Sequence, residues 1–162
     1  MGTSVYPVHG GLNLVELRSL GVDPSDVLDF SASINPLGLP HGVVEAMAKV
    51  DITTYPDRQC LKLREALAAH LNVELAQILV GNGSTELIHL LARAYLSKDD
   101  RAFIFAPTFG EYEAACMKVE AAVYNFKAKE ATGFHWDLDA GLSAIQEQDP
   151  RLVFLCNPNN PT

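Results

Sequence analysis

Basic residues are scarce in this sequence: 12 lysines and arginines are outnumbered by 20 aspartates and glutamates, and the formal net charge is −8. No run of lysine or arginine occurs along the chain, so it lacks the basic patch that nucleic-acid-binding domains carry. We therefore expect no nucleic-acid partner. The acidic excess favours solubility instead.

Cysteine is also rare. The three cysteines, Cys60, Cys116 and Cys156, are odd in number, far apart and never in a Cys-x-x-Cys pair. This spacing argues against both a zinc site and a disulfide framework. We expect no metal site, and we expect the thiols to be reduced in the core of a cytoplasmic protein.

Long apolar runs are absent as well. No stretch approaches the roughly 20 apolar residues that a bilayer-spanning helix needs. The first seven residues, MGTSVYP, have neither the basic start nor the apolar segment of a secretory signal. No membrane partner is expected, and the predicted location is the cytoplasm.

The sequence does have a globular balance, with 48% hydrophobic and 20% charged residues. Apolar spacing predicts a short helix within residues 12–20, with Asn13 as its cap and Gly21 as its end. Proline, glycine, serine and asparagine make residues 29–40 an extended loop. A further helix is expected from residue 43 to about residue 50.

From residue 60 onward the pattern alternates between helices and strands. Apolar residues at steps of three and four mark helices over residues 60–71 and 87–95. Short apolar runs predict strands at residues 78–80, 102–106, 121–126 and 152–156, with helices near residues 112–119 and 138–145 between the last three. This alternation predicts a three-layer α/β/α sandwich, in which helices cover both faces of a mostly parallel sheet.

A glycine-bearing turn, Gly81-Asn82-Gly83-Ser84-Thr85, lies between the strand at residues 78–80 and the helix that follows. Free N–H groups at a helix start, together with two hydroxyl side chains, form a natural phosphate site. An ordinary capped turn, in which glycine only supplies a positive φ, is the alternative. The segment lacks the third glycine of the dinucleotide fingerprint and the Gly-Lys-Ser/Thr of a P-loop, which disfavours a nicotinamide-dependent dehydrogenase.

Two other candidate residues follow predicted strands. Phe109 comes just after the strand at residues 102–106 and offers a flat face for a heteroaromatic ring, or else belongs to the core. Asn160 follows the strand at residues 152–156 and could hydrogen-bond a phenolic oxygen, or else marks only a turn. Ligands of α/β sheets bind at the carboxyl ends of the strands, where both residues are expected.

Several motifs together resemble those of one enzyme family. YPD at residues 55–57, ILVGNGSTELI at residues 78–88, PTFGEY at residues 107–112 and NPNNPT at residues 157–162 occur in the order of the class I/II aminotransferases. They are most similar to the histidinol-phosphate aminotransferase branch. HGG at residues 9–11 and DFSASINPLG at residues 29–38 resemble the threonine-phosphate decarboxylases of cobalamin biosynthesis, which belong to that branch.

The resemblance implies pyridoxal 5′-phosphate as the cofactor. It assigns Gly83, Ser84 and Thr85 to the cofactor phosphate, Phe109 to stacking on the pyridine ring, and Asn160 to the ring hydroxyl oxygen. These roles are carried over from the family and are expectations for this chain.

The resemblance also implies a homodimer, in which Tyr55 reaches the cofactor phosphate of the other subunit. His9 and the loop residues Ser33, Ile34 and Asn35 are expected near a small phosphorylated substrate. Ser33 departs from the decarboxylase pattern, which has asparagine there.

On this resemblance, residues 1–40 form an amino-terminal arm with the substrate loop, and residues 41–162 form the first part of the cofactor-binding large domain. The family's cofactor-bearing lysine is expected beyond Thr162, since none of the lysines present lies in its motif. Residues 1–162 alone are therefore expected to be inactive. Decarboxylation, transamination and a non-catalytic binding or assembly role remain open.

Overall fold

A computed structural model describes residues 9–162, which fall into two compact units with described residues 9–67 and 68–162. The helices of the chain are α1 (Leu14–Leu20), α2 (Val43–Ala48), α3 (Leu61–Leu71), α4 (Gly83–Tyr95), α5 (Glu111–Lys118) and α6 (Leu138–Gln148). The strands are β1 (Arg101–Ala106), β2 (Ala122–Lys127) and β3 (Leu152–Phe154). Short 3₁₀ turns occupy Pro24–Asp26, Leu75–Gln77 and Glu130–Thr132. In the described part of the chain, no helix has the length and apolar composition to cross a membrane.

The first unit contains α1, α2 and the start of α3. Asn13 caps α1 as predicted, because its side-chain oxygen accepts the N–H groups of Val15 and Glu16 at 3.1 and 3.2 Å. Gly21 ends the helix with φ +67°, a left-handed conformation that suits glycine. None of the described residues of this unit is buried, so it has no apolar core of its own.

The second unit is built on a parallel sheet. Strand β1 pairs in parallel with β2 on one side and with β3 on the other, which gives the order β2-β1-β3. The chain moves outward from β1 to β2 through α5, then crosses back to β3 through α6. Both crossovers are right-handed but run in opposite directions across the sheet, so α5 and α6 lie on opposite faces of the sheet. The predicted layered α/β arrangement is therefore confirmed.

The two faces of β1 carry different side chains. Ala102 and Ile104 point to one face, where they pack with the buried Ala115 and Cys116 of α5 and with Ala92 of α4. Small side chains on the helices let them approach the sheet closely, and the exclusion of water from this apolar cluster stabilises the unit.

Aromatic rings fill the opposite face. Phe103 is fully buried, and its ring stacks on Tyr124 and Phe126 of β2 with centroid distances of 5.2 and 5.8 Å. Gly141 of α6 lies over this cluster, because a Cβ there would come within 3.1 Å of the Phe105 ring. The glycine therefore allows α6 to lie directly on the aromatic layer.

Two strand predictions are wrong in detail. Residues 78–80 form no strand, because a strand requires ladder hydrogen bonds from a neighbour and the sheet contains only β1, β2 and β3 in residues 9–162. The strand predicted over residues 152–156 ends at Phe154, since the ladder to β1 stops at the pair Ile104 and Phe154. The predicted division of the chain at residue 40 stays a prediction.

Candidate functional site

A cleft of about 430 Å³ lies at the carboxyl ends of β1 and β3. Three segments of the second unit contribute to it: the first turn of α4, the loop after β1 and the loop after β3. The structure thereby brings together Ser84, Phe109 and Asn160, each from one segment. The remaining lining residues are Ile88, Tyr112, Leu155, Cys156, Asn157 and Pro158. Adjacent parallel strands end at one edge of a sheet, which explains why such distant residues converge.

The start of α4 has no side-chain cap. The Asn82 side chain, at the N-cap position, makes no capping hydrogen bond, and instead its Nδ2 donates to Glu86 Oε2 at 3.2 Å. Gly83 has φ +77°, a conformation that a side chain would strain. Ser84 is exposed and Thr85 is half-buried. The Glu86 carboxylate accepts the N–H of Asn82 at 2.6 Å, so it engages one donor of this helix start. Ser84 and Thr85 still place their hydroxyl groups at the positive end of the helix dipole, and Ser84 lines the cleft.

Phe109 is half-buried and belongs to a row of aromatic rings. Its ring meets that of Tyr112 edge-on at a centroid distance of 6.0 Å, and Tyr112 stacks on Phe154 at 4.8 Å. Tyr112 and Phe154 hold the Phe109 ring in place, and the Phe109 ring forms part of the cleft wall. A ring held in this way suits stacking on a flat ligand.

Tyr112 has a perturbed hydroxyl group. Burial and a hydrogen bond with the Cys156 side chain raise the pKa of Tyr112 to about 12. The phenol therefore stays neutral over the whole physiological range, and it forms an uncharged part of the cleft wall.

The raised pKa of Tyr112 predicts a loss of stability at high pH. Between about pH 10 and pH 12 the unfolded tyrosine loses its proton while the folded one keeps it. The free energy of unfolding should therefore fall through this window more steeply for the unaltered chain than for Tyr112→Phe. Urea unfolding followed by fluorescence of Trp136, whose Nε1 donates to Ala106 O at 3.1 Å, measures the difference. Parallel curves for the two proteins would contradict the shift.

Sequence reasoning missed a hydrogen-bonded histidine–glutamate pair between α4 and α5. His89 Nε2 of α4 lies 2.8 Å from Glu111 Oε2 of α5, and the Glu111 side chain is only 8% exposed. A glutamate is rarely buried unless it has a partner, but Glu111 begins a helix whose first turn also contains Glu113, so little in the sequence signalled its burial. The pair joins the helix that begins beside Ser84 to the helix that begins beside Phe109.

Sequence reasoning also missed Asn159, which lies between the two loops. Its Nδ2 donates to Pro107 O at 2.9 Å and to Thr162 Oγ1 at 2.6 Å, and its Oδ1 accepts from Thr108 Oγ1 at 2.7 Å. The neighbouring Asn160 is exposed at the cleft. The repeated asparagines of NPNNPT were a signal that one of them serves the loop rather than a ligand.

The other predicted residues lie in the first unit. Tyr55 is 99% exposed and Ile34 is 77% exposed. Asn35 is engaged within its own loop, since its Oδ1 accepts the N–H of Leu37 at 3.0 Å. His9 and Ser33 are exposed.

The two predicted substrate motifs of this unit lie against each other. A Cβ on Gly10 would come within 1.8 Å of the Ser31 carbonyl oxygen, so only glycine fits there. Gly11 N–H donates to Ser31 Oγ at 2.8 Å. The segment that contains His9 is thereby held beside the loop that contains Ser33.

Sequence comparisons identify the family of this α/β chain. The sequence profile of the family described as aminotransferase class I and II matches residues 25–162. The chain belongs to this family, whose cofactor is pyridoxal 5′-phosphate.

Individual relatives come from two branches of activity. Histidinol-phosphate aminotransferase of Moorella thermoacetica is 38% identical over 98% of this chain and 40% of its own length. Threonine-phosphate decarboxylase of Salmonella typhimurium is 41% identical over 95% of this chain and 42% of its own length. The chain thus spans about two fifths of the length of these relatives.

A solved structure supports the fold. Histidinol-phosphate aminotransferase from Sinorhizobium meliloti, in complex with pyridoxal 5′-phosphate, has a TM-score of 0.71 at 23% identity. The match covers 78% of this chain and 34% of that one. The architecture derived above from β1, β2, β3 and their helices is therefore that of the first part of a known enzyme fold.

Proposed function

We propose that this chain forms the part of a pyridoxal-phosphate enzyme that binds the cofactor phosphate and one face of its ring. The observation that carries the proposal is the cleft in which Ser84, Phe109 and Asn160 meet. Its volume of about 430 Å³ lies within the range of small-molecule sites, roughly 300–1,000 Å³.

The residues present fit the groups of this cofactor. Ser84 and Thr85 would hold the phosphate with N–H and hydroxyl donors at the start of α4, where the helix dipole is favourable. Gly83, whose own N–H donates to Gly81 O at 2.9 Å, would let the phosphate approach the backbone closely. Phe109 would cover one face of the pyridine ring. Asn160 would donate a hydrogen bond to the ring hydroxyl oxygen. When bound, pyridoxal phosphate supplies an electron sink for breaking a bond at the α carbon of an amino acid.

The substrate of the complete enzyme is proposed to be a phosphorylated amino acid or amino alcohol. Threonine phosphate, decarboxylated in cobalamin biosynthesis, is favoured by the HGG and DFSASINPLG segments and by the 41% identity to the Salmonella decarboxylase. Histidinol-phosphate transamination is the second candidate, supported by 38% identity over nearly the whole chain. His9, Ser33, Ile34 and Asn35 are the proposed substrate residues.

We further propose a cytoplasmic homodimer. The almost fully exposed Tyr55 is suited to contact a second subunit, where it would reach the cofactor phosphate. The three free cysteines suit a reducing compartment. By themselves, residues 1–162 are proposed to give no turnover, and activity of this chain alone with pyridoxal phosphate and threonine phosphate would contradict that assignment.

Binding of pyridoxamine 5′-phosphate to the 162-residue chain tests the proposed cofactor site. This probe keeps the phosphate and the ring but has no aldehyde to react with surface lysines. We expect it to bind at least about tenfold more tightly than pyridoxamine, because hydrogen bonds to a charged group contribute about 1.5–3 kcal/mol. Isothermal titration calorimetry with both compounds measures the ratio. Equal affinity, or no binding of either, would overturn the phosphate assignment.

A further inference from the structure

The side-chain amide of Asn159 has a partner for both of its N–H groups. Both Nδ2 hydrogens are donated, one to Pro107 O and one to Thr162 Oγ1, and Oδ1 accepts the hydroxyl proton of Thr108. The opposite orientation of the amide would set Oδ1 against the Pro107 carbonyl oxygen, and two acceptors would then face each other at 2.9 Å. The carbonyl therefore fixes the orientation of the amide.

These contacts cross from one strand end to the next. Pro107 and Thr108 follow β1, whereas Asn159 follows β3. Pro107 and Thr108 lie 52 and 51 residues before Asn159, in the other loop, and Thr162 lies three residues after it. The side chain of Asn159 therefore ties the two loops into one unit.

The residues that directly follow Thr108 and Asn159 along the chain line the cleft. Phe109 directly follows Thr108, and Asn160 directly follows Asn159, and both line the cleft. Phe109 and Asn160 are each joined by a planar peptide bond to a residue of the Thr108–Asn159 contact. This contact therefore limits how far Phe109 and Asn160 can move relative to each other. Such residues must be held within about 0.5 Å of their working geometry to serve one ligand.

We propose that Asn159 is a positioning residue, which acts with the Thr108 hydroxyl to hold Phe109 and Asn160 at the separation that one cofactor ring requires. Asn159 itself is not among the residues that line the cleft. The positioning role rests on the proposed function, whereas the contact between the loops does not.

Two pairs of variants distinguish the effect of losing the Thr108 hydroxyl or the Asn159 amide from the effect of changing side-chain volume. Thr108→Val removes the hydroxyl at nearly the same shape, and Thr108→Ser retains it. Asn159→Ala removes the amide, and Asn159→Asp keeps an acceptor for Thr108 but loses both donated bonds.

Nuclear magnetic resonance relaxation of the ¹⁵N-labelled chain tests the contact without any ligand. In Thr108→Val we expect the backbone order parameters of Asn159 and Asn160 to fall from about 0.85 toward about 0.6, since breaking a loop contact increases local motion. Thr108→Ser should match the unaltered chain, and Asn159→Ala should lower the order parameters of Thr108 and Phe109. If Thr108→Val leaves the order parameters of Asn159 and Asn160 unchanged, the contact does not hold the two loops together and the proposal is overturned.

Pyridoxamine 5′-phosphate binding tests the positioning role. We expect about tenfold weaker binding by Thr108→Val and Asn159→Ala, as one hydrogen bond predicts. Asn159→Asp should bind at least as weakly as Asn159→Ala, because its carboxylate faces the Pro107 carbonyl oxygen, and Thr108→Ser should stay within about twofold of the unaltered chain. Loops that loosen without any change in affinity would show a purely structural contact and overturn the positioning role. No binding by the unaltered chain would instead overturn the proposed function, together with the role that rests on it.

Discussion

Replacing Ser84 by aspartate is expected to abolish measurable binding of pyridoxamine 5′-phosphate while leaving the fold at least as stable. A carboxylate about 4 Å from a phosphate charge costs on the order of 4 kcal/mol at an effective dielectric constant of 20. This corresponds to a loss of affinity of at least about a hundredfold. The same carboxylate in the first turn of α4 stabilises the helix by about 0.3–1 kcal/mol, because it complements the dipole. Calorimetry and thermal melting measure the two effects.

Ser143→Asp is the matched control for this substitution. Ser143 is exposed on α6 and does not line the cleft, so the same change of charge there should leave the affinity within about twofold. If both variants lose binding, net charge rather than the start of α4 is responsible. If Ser84→Asp binds like the unaltered chain, the phosphate lies elsewhere.

The 162-residue chain is expected to self-associate in solution, with a large effect on its elution volume. Strand β3 pairs with β1 on one side, and in residues 9–162 no strand pairs with its other side. β3 contains no charged residue, and Val153 within it and Leu155 directly after it are 39% and 59% exposed. An uncharged apolar edge of this kind is a template for pairing with another chain. Size-exclusion chromatography over a tenfold range of concentration shows whether the apparent mass rises.

A charge on this edge should suppress the association. Val153→Lys is expected to shift the chain toward a monomer, because an edge lysine opposes strand pairing. Ala122→Lys adds the same charge to the exposed start of the opposite edge strand, β2, and should have a smaller effect. A monodisperse monomer for the unaltered chain, with a sharp melt at high temperature, would contradict the prediction and indicate a self-sufficient domain.

Local signals were enough to predict most of the elements. The apolar runs at residues 102–106, 121–126 and 152–156 gave β1, β2 and the start of β3, because alternation with amphipathic helices is typical of a parallel sheet. The Asn13 cap and the Gly21 end of α1 followed from local hydrogen bonding and backbone conformation. These features depend on residues a few positions apart, which the sequence displays directly.

Failures occurred where an element depends on a distant partner. Residues 78–80 have the composition of a strand but form none, since strand formation requires a paired neighbour. Asn159 and Thr108 are 51 positions apart, and His89 and Glu111 are 22 positions apart. Neither pair follows a local period, so neither could be found by spacing.

By itself, the sequence determined the class of fold and the chemistry available at three turns. A helix start rich in Gly, Ser and Thr, an aromatic ring after β1 and an amide after β3 each follow from short segments. Only the tertiary structure decided that Ser84, Phe109 and Asn160 share one cleft. The order β2-β1-β3 puts the ends of β1 and β3 side by side, and that order is set by the packing of α5 and α6 on opposite faces rather than by any local sequence preference.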